Sequence, residues 1–206
     1  MSEVLSAPAS DAVSSRRALQ DTIAVDDLSP RGTEFLSYWM RARGGKSMPS
    51  PDDIDPSAFV ALLPYMRYLR WSGPDKVVYR VWGTMLTEWM KTDLTGRNVF
   101  DLLPEQERPA EHARVRALHN MPCGFVQHRE VTDTRGLVHV FEFLTLPVSA
   151  GSDGESRMIG TGAMCDEDAA ERFELDTAPR TVIKRVGYLD LGFGVPKHVT
   201  AQVTRG

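Results

Sequence analysis

Side chains able to ligate a metal or attack a substrate are few in this chain of 206 residues: five histidines and two cysteines. His112 and His119 stand seven apart in "EHARVRALHN", with Val115 between them. On a helix that spacing puts both imidazoles on one face, and an imidazole turned into an apolar cavity could ligate iron. Their neighbours Glu111, Arg114 and Arg116 point instead to a charged, solvated edge. His128 and His139 fall on successive strand-like stretches near a turn; they could pair across the strands, but would leave a metal short of ligands. His198 has no companion in its segment. Cys123 and Cys165 make at most one pair, which is no disulfide framework, and no Cys-x-x-Cys or Cys/His cluster offers zinc spacing. No metal site is assigned.

Catalytic motifs are missing as well. Nothing resembles a nucleophile elbow, a phosphate-cradling P-loop or a metalloprotease helix. "GFGVP" contains glycines but follows no strand-to-helix unit that would hold a phosphate. Glu105, Glu107 and Glu111 lie at a predicted helix start, where negative charge favours the dipole. The chain is therefore read as a non-enzyme, with no catalytic residue assigned. "DLTGRNVFDLLP", residues 93 to 104, is read as a turn in which Gly96 supplies backbone freedom and Asn98 a local hydrogen bond.

Bulk properties narrow the partners. Hydrophobic residues make up 42% and charged residues 25%, ordinary for a globular domain, and the formal net charge is -4. A nucleic-acid binder needs a basic stripe to neutralise phosphates, so nucleic acid is excluded as a partner. Arg67 with Arg70, and Lys184 with Arg185, are read as solvated surface. No apolar run approaches the roughly 20 residues that span a bilayer. The start, "MSEVLSAPASDAVSSRRALQD", lacks a basic n-region followed by an apolar h-region. With so few cysteines, a reducing, cytoplasmic location is expected.

Several elements must position whatever site exists. Residues 1–28 are rich in Ser, Ala and Asp and read as a flexible arm. Residues 29–59 hold a helix and a connector. Ser29 can cap the helix, Pro30 suits its first turn, and Gly44-Gly45 stops it. Phe35, Tyr38 and Trp39 form an aromatic stripe on that helix, facing either the core or a partner. In "MPSPDDIDPSAFVALLP", Asp55 can cap a short helix from Pro56 that Pro64 ends. "YMRYLRW" and "KVVYRVWG" flank the turn "SGPD" as a hairpin. A mostly helical stretch runs from Thr84 to Asn120, its last and longest helix starting near Pro109.

Three more strands follow: the alternating "GFVQHREVT", the largely apolar "LVHVFEFLTLPV" and "RMIGTGAMC". Gly160 and Gly162 share a face of the last, where a backbone or ligand can approach closely. Residues 168–206 show too little apolar periodicity for a domain and read as an extension docking on the core or on a partner. Strand, strand, helices, then three hairpin-linked strands describe an α+β architecture: a five-stranded antiparallel sheet with helices on one face, plus the N-terminal helix.

This order resembles the PAS domain over residues 60–167. Tyr38-Trp39, Met48-Pro49, Asp53-Ile54-Asp55-Pro56, Tyr79-Arg80 with Gly83-Thr84, and Thr95-Gly96-Arg97 together resemble an alphaproteobacterial branch of single-PAS-domain proteins. Ser50 stands where that branch often carries another residue. The resemblance implies a sensory or regulatory module acting through protein–protein interaction. Its expected partner is a separate signalling protein such as a histidine kinase or regulator. It also implies a homodimer, with Phe35, Tyr38 and Trp39 on residues 30–43 as interaction candidates.

A small ligand in the PAS cavity is the further expectation. Its candidate lining is Tyr79 and Val81 on a strand, Met85 and Trp89 on the next helix, then Phe100, Val115, Phe141 and Phe143. Haem-binding PAS sensors draw a histidine from the long helix before the third strand, which makes His112 or His119 the alternative, haem-bearing reading. Light-oxygen-voltage domains, relatives of PAS domains, place a photoreactive cysteine directly after Gly-Arg-Asn. Here that position is Val99, and the last strand lacks the glutamine that would bond a flavin ring. Cofactor-free is the first expectation, and flavin photochemistry is disfavoured.

Overall fold

The structure, a computed structural model, describes residues 20–179 and 181–196; His198 lies outside the described residues. In chain order it contains β1 (Gln20–Ile23), α1 (Pro30–Arg43), β2 (Met66–Gly73), β3 (Lys76–Trp82), α2 (Thr84–Met90) and α3 (Arg108–Asn120). These are followed by β4 (Cys123–Thr132), β5 (Val138–Val148), β6 (Ser156–Met164) and β7 (Thr181–Asp190). The strands form one sheet in the order β1-β7-β4-β5-β6-β2-β3. Every pairing is antiparallel except β1 with β7.

The sheet has seven strands, which corrects the expected five. Its inner run β4-β5-β6-β2-β3 is the set read from the sequence, and the additions come from the two flanks. Residues 20–23, expected in a flexible arm, form β1, and residues 181–190, expected in the extension, form β7 along the free edge of β4. Lys184 and Arg185 interrupt the apolar pattern of β7, which hid the strand. Its remaining side chains nevertheless serve both faces: Val186 and Tyr188 on one, Leu189 on the other.

Helices cover both faces of the sheet, not one. Strand side chains alternate by two, so Phe125, Phe141 and Phe143 belong to a core beneath α2 and α3. Val126, Leu144, Leu146 and Ile159 belong to a second core beneath α1. A largely apolar strand such as β5 is the signature of burial on both faces. Phe35, Tyr38 and Trp39 are all buried in that second core, and Trp39 Nε1 donates to the Pro147 carbonyl at 2.9 Å. The aromatic stripe is thus spent on the chain's own sheet, so these residues do not form a partner-facing surface.

Local chemistry fixes the ends of α1. Ser29 Oγ accepts from Gly32 N–H and donates to the buried carboxylate of Glu142 on β5, 2.7 Å away. Glu142 also accepts the Ser29 N–H at 2.9 Å. A Cβ at Gly32 would collide with Glu142 Oε1, so a larger residue there would have to displace that carboxylate. At the other end Gly44 has φ +55°, a backbone conformation that favours glycine, and its N–H donates to the Arg41 carbonyl at 3.1 Å. Residues 99–102 and 105–107 form short 3-10 turns before α3. Among the described residues, no helix is long and apolar enough to cross a membrane, and no group of His, Cys, Asp and Glu is placed to hold a metal ion.

Candidate functional site

Between the sheet and the α2–α3 layer lies a cavity of about 320 Å³. Period-two geometry makes its floor: Arg67 and Leu69 from β2, Val77 and Tyr79 from β3, Phe125, Gln127 and Arg129 from β4, Phe143 and Thr145 from β5. Glu111, Arg114, Val115 and Leu118, on successive turns of α3, roof it, with Val99 and Leu103 alongside. Ala178, Pro179 and Thr181, leading into β7, complete the wall.

Of the expected lining residues, Tyr79, Val115 and Phe143 are in the wall. The others lie elsewhere. Val81 is 40% exposed, pointing away from the core. Trp89 and Phe141 are buried against each other, ring centroids 5.5 Å apart, and Met85 packs against the same core. Phe100 is stacked on His112 at 4.1 Å. Aromatic size predicted burial correctly, but strand parity and helix phase decide which buried rings border the void.

The histidine candidates are committed to other contacts. His112 Nε2 is 2.8 Å from Asp75 Oδ1. His119 Nδ1 is 3.0 Å from the Val115 carbonyl and its Nε2 3.0 Å from the Arg157 carbonyl. Neither borders the cavity, so this arrangement does not offer an axial haem ligand. Val99 does border it, with no thiol for flavin adduct chemistry. Cys123, at the start of β4, is buried, which pushes its thiol up to about 12, and neither it nor Cys165 reaches the cavity. His128 and His139 do not pair with each other: the cross-strand partner of His128 is Glu142, and that of His139 is Val131.

The turn motif has a structural role. Gly96 has φ +83°, its N–H donates to the Tyr79 carbonyl at 2.7 Å, and Tyr79 N–H donates to the Arg97 carbonyl at 3.0 Å. Asn98 Oδ1 accepts Val77 N–H at 3.0 Å while its Nδ2 donates to the Asp75 carbonyl at 2.9 Å. Thr-Gly-Arg-Asn therefore pins β3 and the turn before it and sets Val99 against the void.

Sequence reading missed the polar part of the site. Arg67, expected at the surface, is 6% exposed. Its Nη2 donates to the Leu144 carbonyl and to Thr145 Oγ1, each at 3.0 Å, and its guanidinium carbon lies 4.9 Å from the Phe143 ring centre. The row Arg67–Gly160–Thr145 crosses three adjacent strands. The close approach expected at Gly160 is therefore made by the protein: a Cβ there would strike the Leu144 carbonyl. At Gly162 the neighbours are the Leu86 and Phe143 side chains, which would lie 2.7 and 2.9 Å from an added Cβ.

Arg129 Nη1 donates to Thr181 Oγ1 at 2.9 Å, tying β4 to β7. Arg114 Nη1 meets Glu111 Oε2 at 2.7 Å. Burial is the largest influence on Arg67 and Arg129 and lowers both from the ordinary arginine value; Arg129 lowers Arg67 further, and Arg114 lowers Arg129. The signal that reveals Gln127 and Arg129 is parity with Phe125 in "GFVQHREVT".

A protein-family model described as PAS domain matches residues 28–163. No curated protein matches the chain. Among solved structures it is similar to a fungal LOV-domain photoreceptor at 18% identity and TM-score 0.35, covering 56% of this chain and 94% of that one. It is similar to the light-state blue-light photoreceptor Aureochrome1 LOV at 15% identity and TM-score 0.35, covering 57% and 93%. An RNA-binding light-oxygen-voltage receptor is similar at 16% identity and TM-score 0.39, covering 60% and 36%.

Proposed function

The chain belongs to the PAS-domain family, and from that premise we propose that it is a cytoplasmic sensory module whose cavity takes a small ligand. The observation that carries this reading is the cavity of about 320 Å³ between the sheet and α3. Well-packed interiors hold few voids larger than a water molecule, and this one reaches the size range of small-molecule sites. Apolar walls with a few convergent polar groups are the usual character of a small-molecule site.

Occupancy would alter contacts of α3 on one side and of Thr181 on the other. Output would then pass, by a shift in how these elements sit, to a separate signalling protein such as a histidine kinase or regulator. A homodimer that used α1 would have to engage its outer side, because the aromatic stripe is buried.

Native mass spectrometry on protein purified without denaturation tests the ligand reading, alongside its absorption spectrum. The expected result is a colourless protein whose mass includes a retained small molecule, or which gains one from a metabolite extract. A Soret or flavin band overturns the cofactor-free reading. A protein that neither retains nor acquires any molecule overturns the ligand reading.

A further inference from the structure

Charge and hydrogen-bond donors in the cavity are out of balance. Arg67, Arg114 and Arg129 border it, against the single carboxylate of Glu111, which Arg114 already holds at 2.7 Å. Arg67 Nε and Arg114 Nε are buried with no partner. Trp82 Nε1, on the same wall, is also buried without one. All three orphaned atoms are donors, and a buried donor without an acceptor is costly. Replacing buried charged groups by apolar residues of similar size is often neutral or stabilising. What the site lacks is a negatively charged acceptor.

Resting on the reading of this cavity as a ligand site, we propose that its ligand is a small organic carboxylate with an apolar body. The carboxylate supplies negative charge beside Arg67 and Arg129, whose guanidinium groups border the cavity and favour carboxylate partners. The apolar body lies against Leu69, Val77, Val99 and Met158, where an inorganic anion would leave dry surface uncovered. Binding offsets the excess positive charge that the cavity wall carries in the apo protein.

The test is calorimetric titration and thermal shift with matched acid and primary-amide pairs: indole-3-acetate with indole-3-acetamide, phenylpropionate with phenylpropanamide, and octanoate with octanamide. Inorganic phosphate serves as the simple anion. Wild type, Arg67→Met and Arg129→Leu are compared. At least one acid is expected to bind about ten- to hundredfold more tightly than its amide, the range of one hydrogen bond to a charged group. Arg67→Met is expected to abolish that preference while leaving the apo melting temperature equal or higher. A merely structural Arg67 would do the opposite, lowering the melting temperature and leaving the acid-to-amide ratio intact.

Amides binding as tightly as acids, or phosphate binding as tightly as the acids, overturns the carboxylate assignment and leaves the ligand-site reading standing. No binding by any acid overturns it too. If the amides are also inert and the purified protein carries no molecule, the ligand-site reading falls with it.

Discussion

Asp133 shows how one carboxylate can hold a turn. It follows β4, is buried, and accepts the backbone N–H groups of Arg135 and Leu137, each at 2.9 Å. The Arg135 guanidinium lies 2.6 Å away and His139 Nε2 3.1 Å away. Burial pushes its pKa up, but these hydrogen bonds together outweigh that and hold it well below the ordinary carboxylate value. A group depressed on folding contributes stability that is complete above its unfolded pKa, about 3.9, and is lost as pH falls through the folded value. Asp133→Asn is therefore expected to melt below wild type at pH 7, with the gap narrowing as pH drops from 4 towards 2. Melting curves at pH 7, 4 and 2.5 check this; a gap that is constant with pH would remove the charge from the explanation. "TDTRG" was legible as a tight turn, because Asp and Gly have turn chemistry of their own. Arg67 was not legible. Nothing local distinguishes an arginine that lies across a glycine in the neighbouring strand from one that points to water.

At the scale of elements, the strands read from alternation and apolar runs are present, and the hairpin and helix-capping signals sit where the chain turns. What escaped was relative placement. Gly160 illustrates the difference: its type predicted close approach, but only the register with Arg67 and Thr145 shows what approaches. Adding a methyl group there drives it into the Leu144 carbonyl, the same oxygen that receives Arg67 Nη2. Backbone on a neighbouring strand cannot yield as a flexible side chain would. Gly160→Ala is expected to cost about 1–3 kcal/mol, as overpacking of a tight interior does. Urea unfolding measures it, and a change below about 0.5 kcal/mol, within the range of ordinary surface substitutions, would show that the strands separate easily. The same variant displaces Arg67, so it is also expected to weaken any acid that the wild-type cavity binds.

The whole molecule bears on where the folding unit ends. Sequence pattern put the domain at residues 60–167, because the motifs and the hairpins fall there. Its flanks looked unstructured or separate because Lys184 and Arg185 break the pattern of β7, and because a lone helix does not declare which surface it covers. In the structure the flanks are integral. α1 covers Val126, Leu144, Leu146 and Ile159, and β7 pairs along β4 and lends Val186 and Tyr188 to the core beneath α3. A fragment of residues 60–167 would expose the first set to water and leave β4 as a long free edge, the usual template for aggregation. It would also lose Thr181, the partner of Arg129 in the cavity wall. Residues 20–196 are expected to unfold in one cooperative transition by urea and remain dispersed in size-exclusion chromatography. Residues 60–167 are expected to bind a hydrophobic dye, elute as aggregates and show no cooperative transition. A dispersed, cooperatively melting 60–167 fragment would mean that the inner strands and α2–α3 stand alone, and that α1 and β7 are additions with a purpose other than completing the fold.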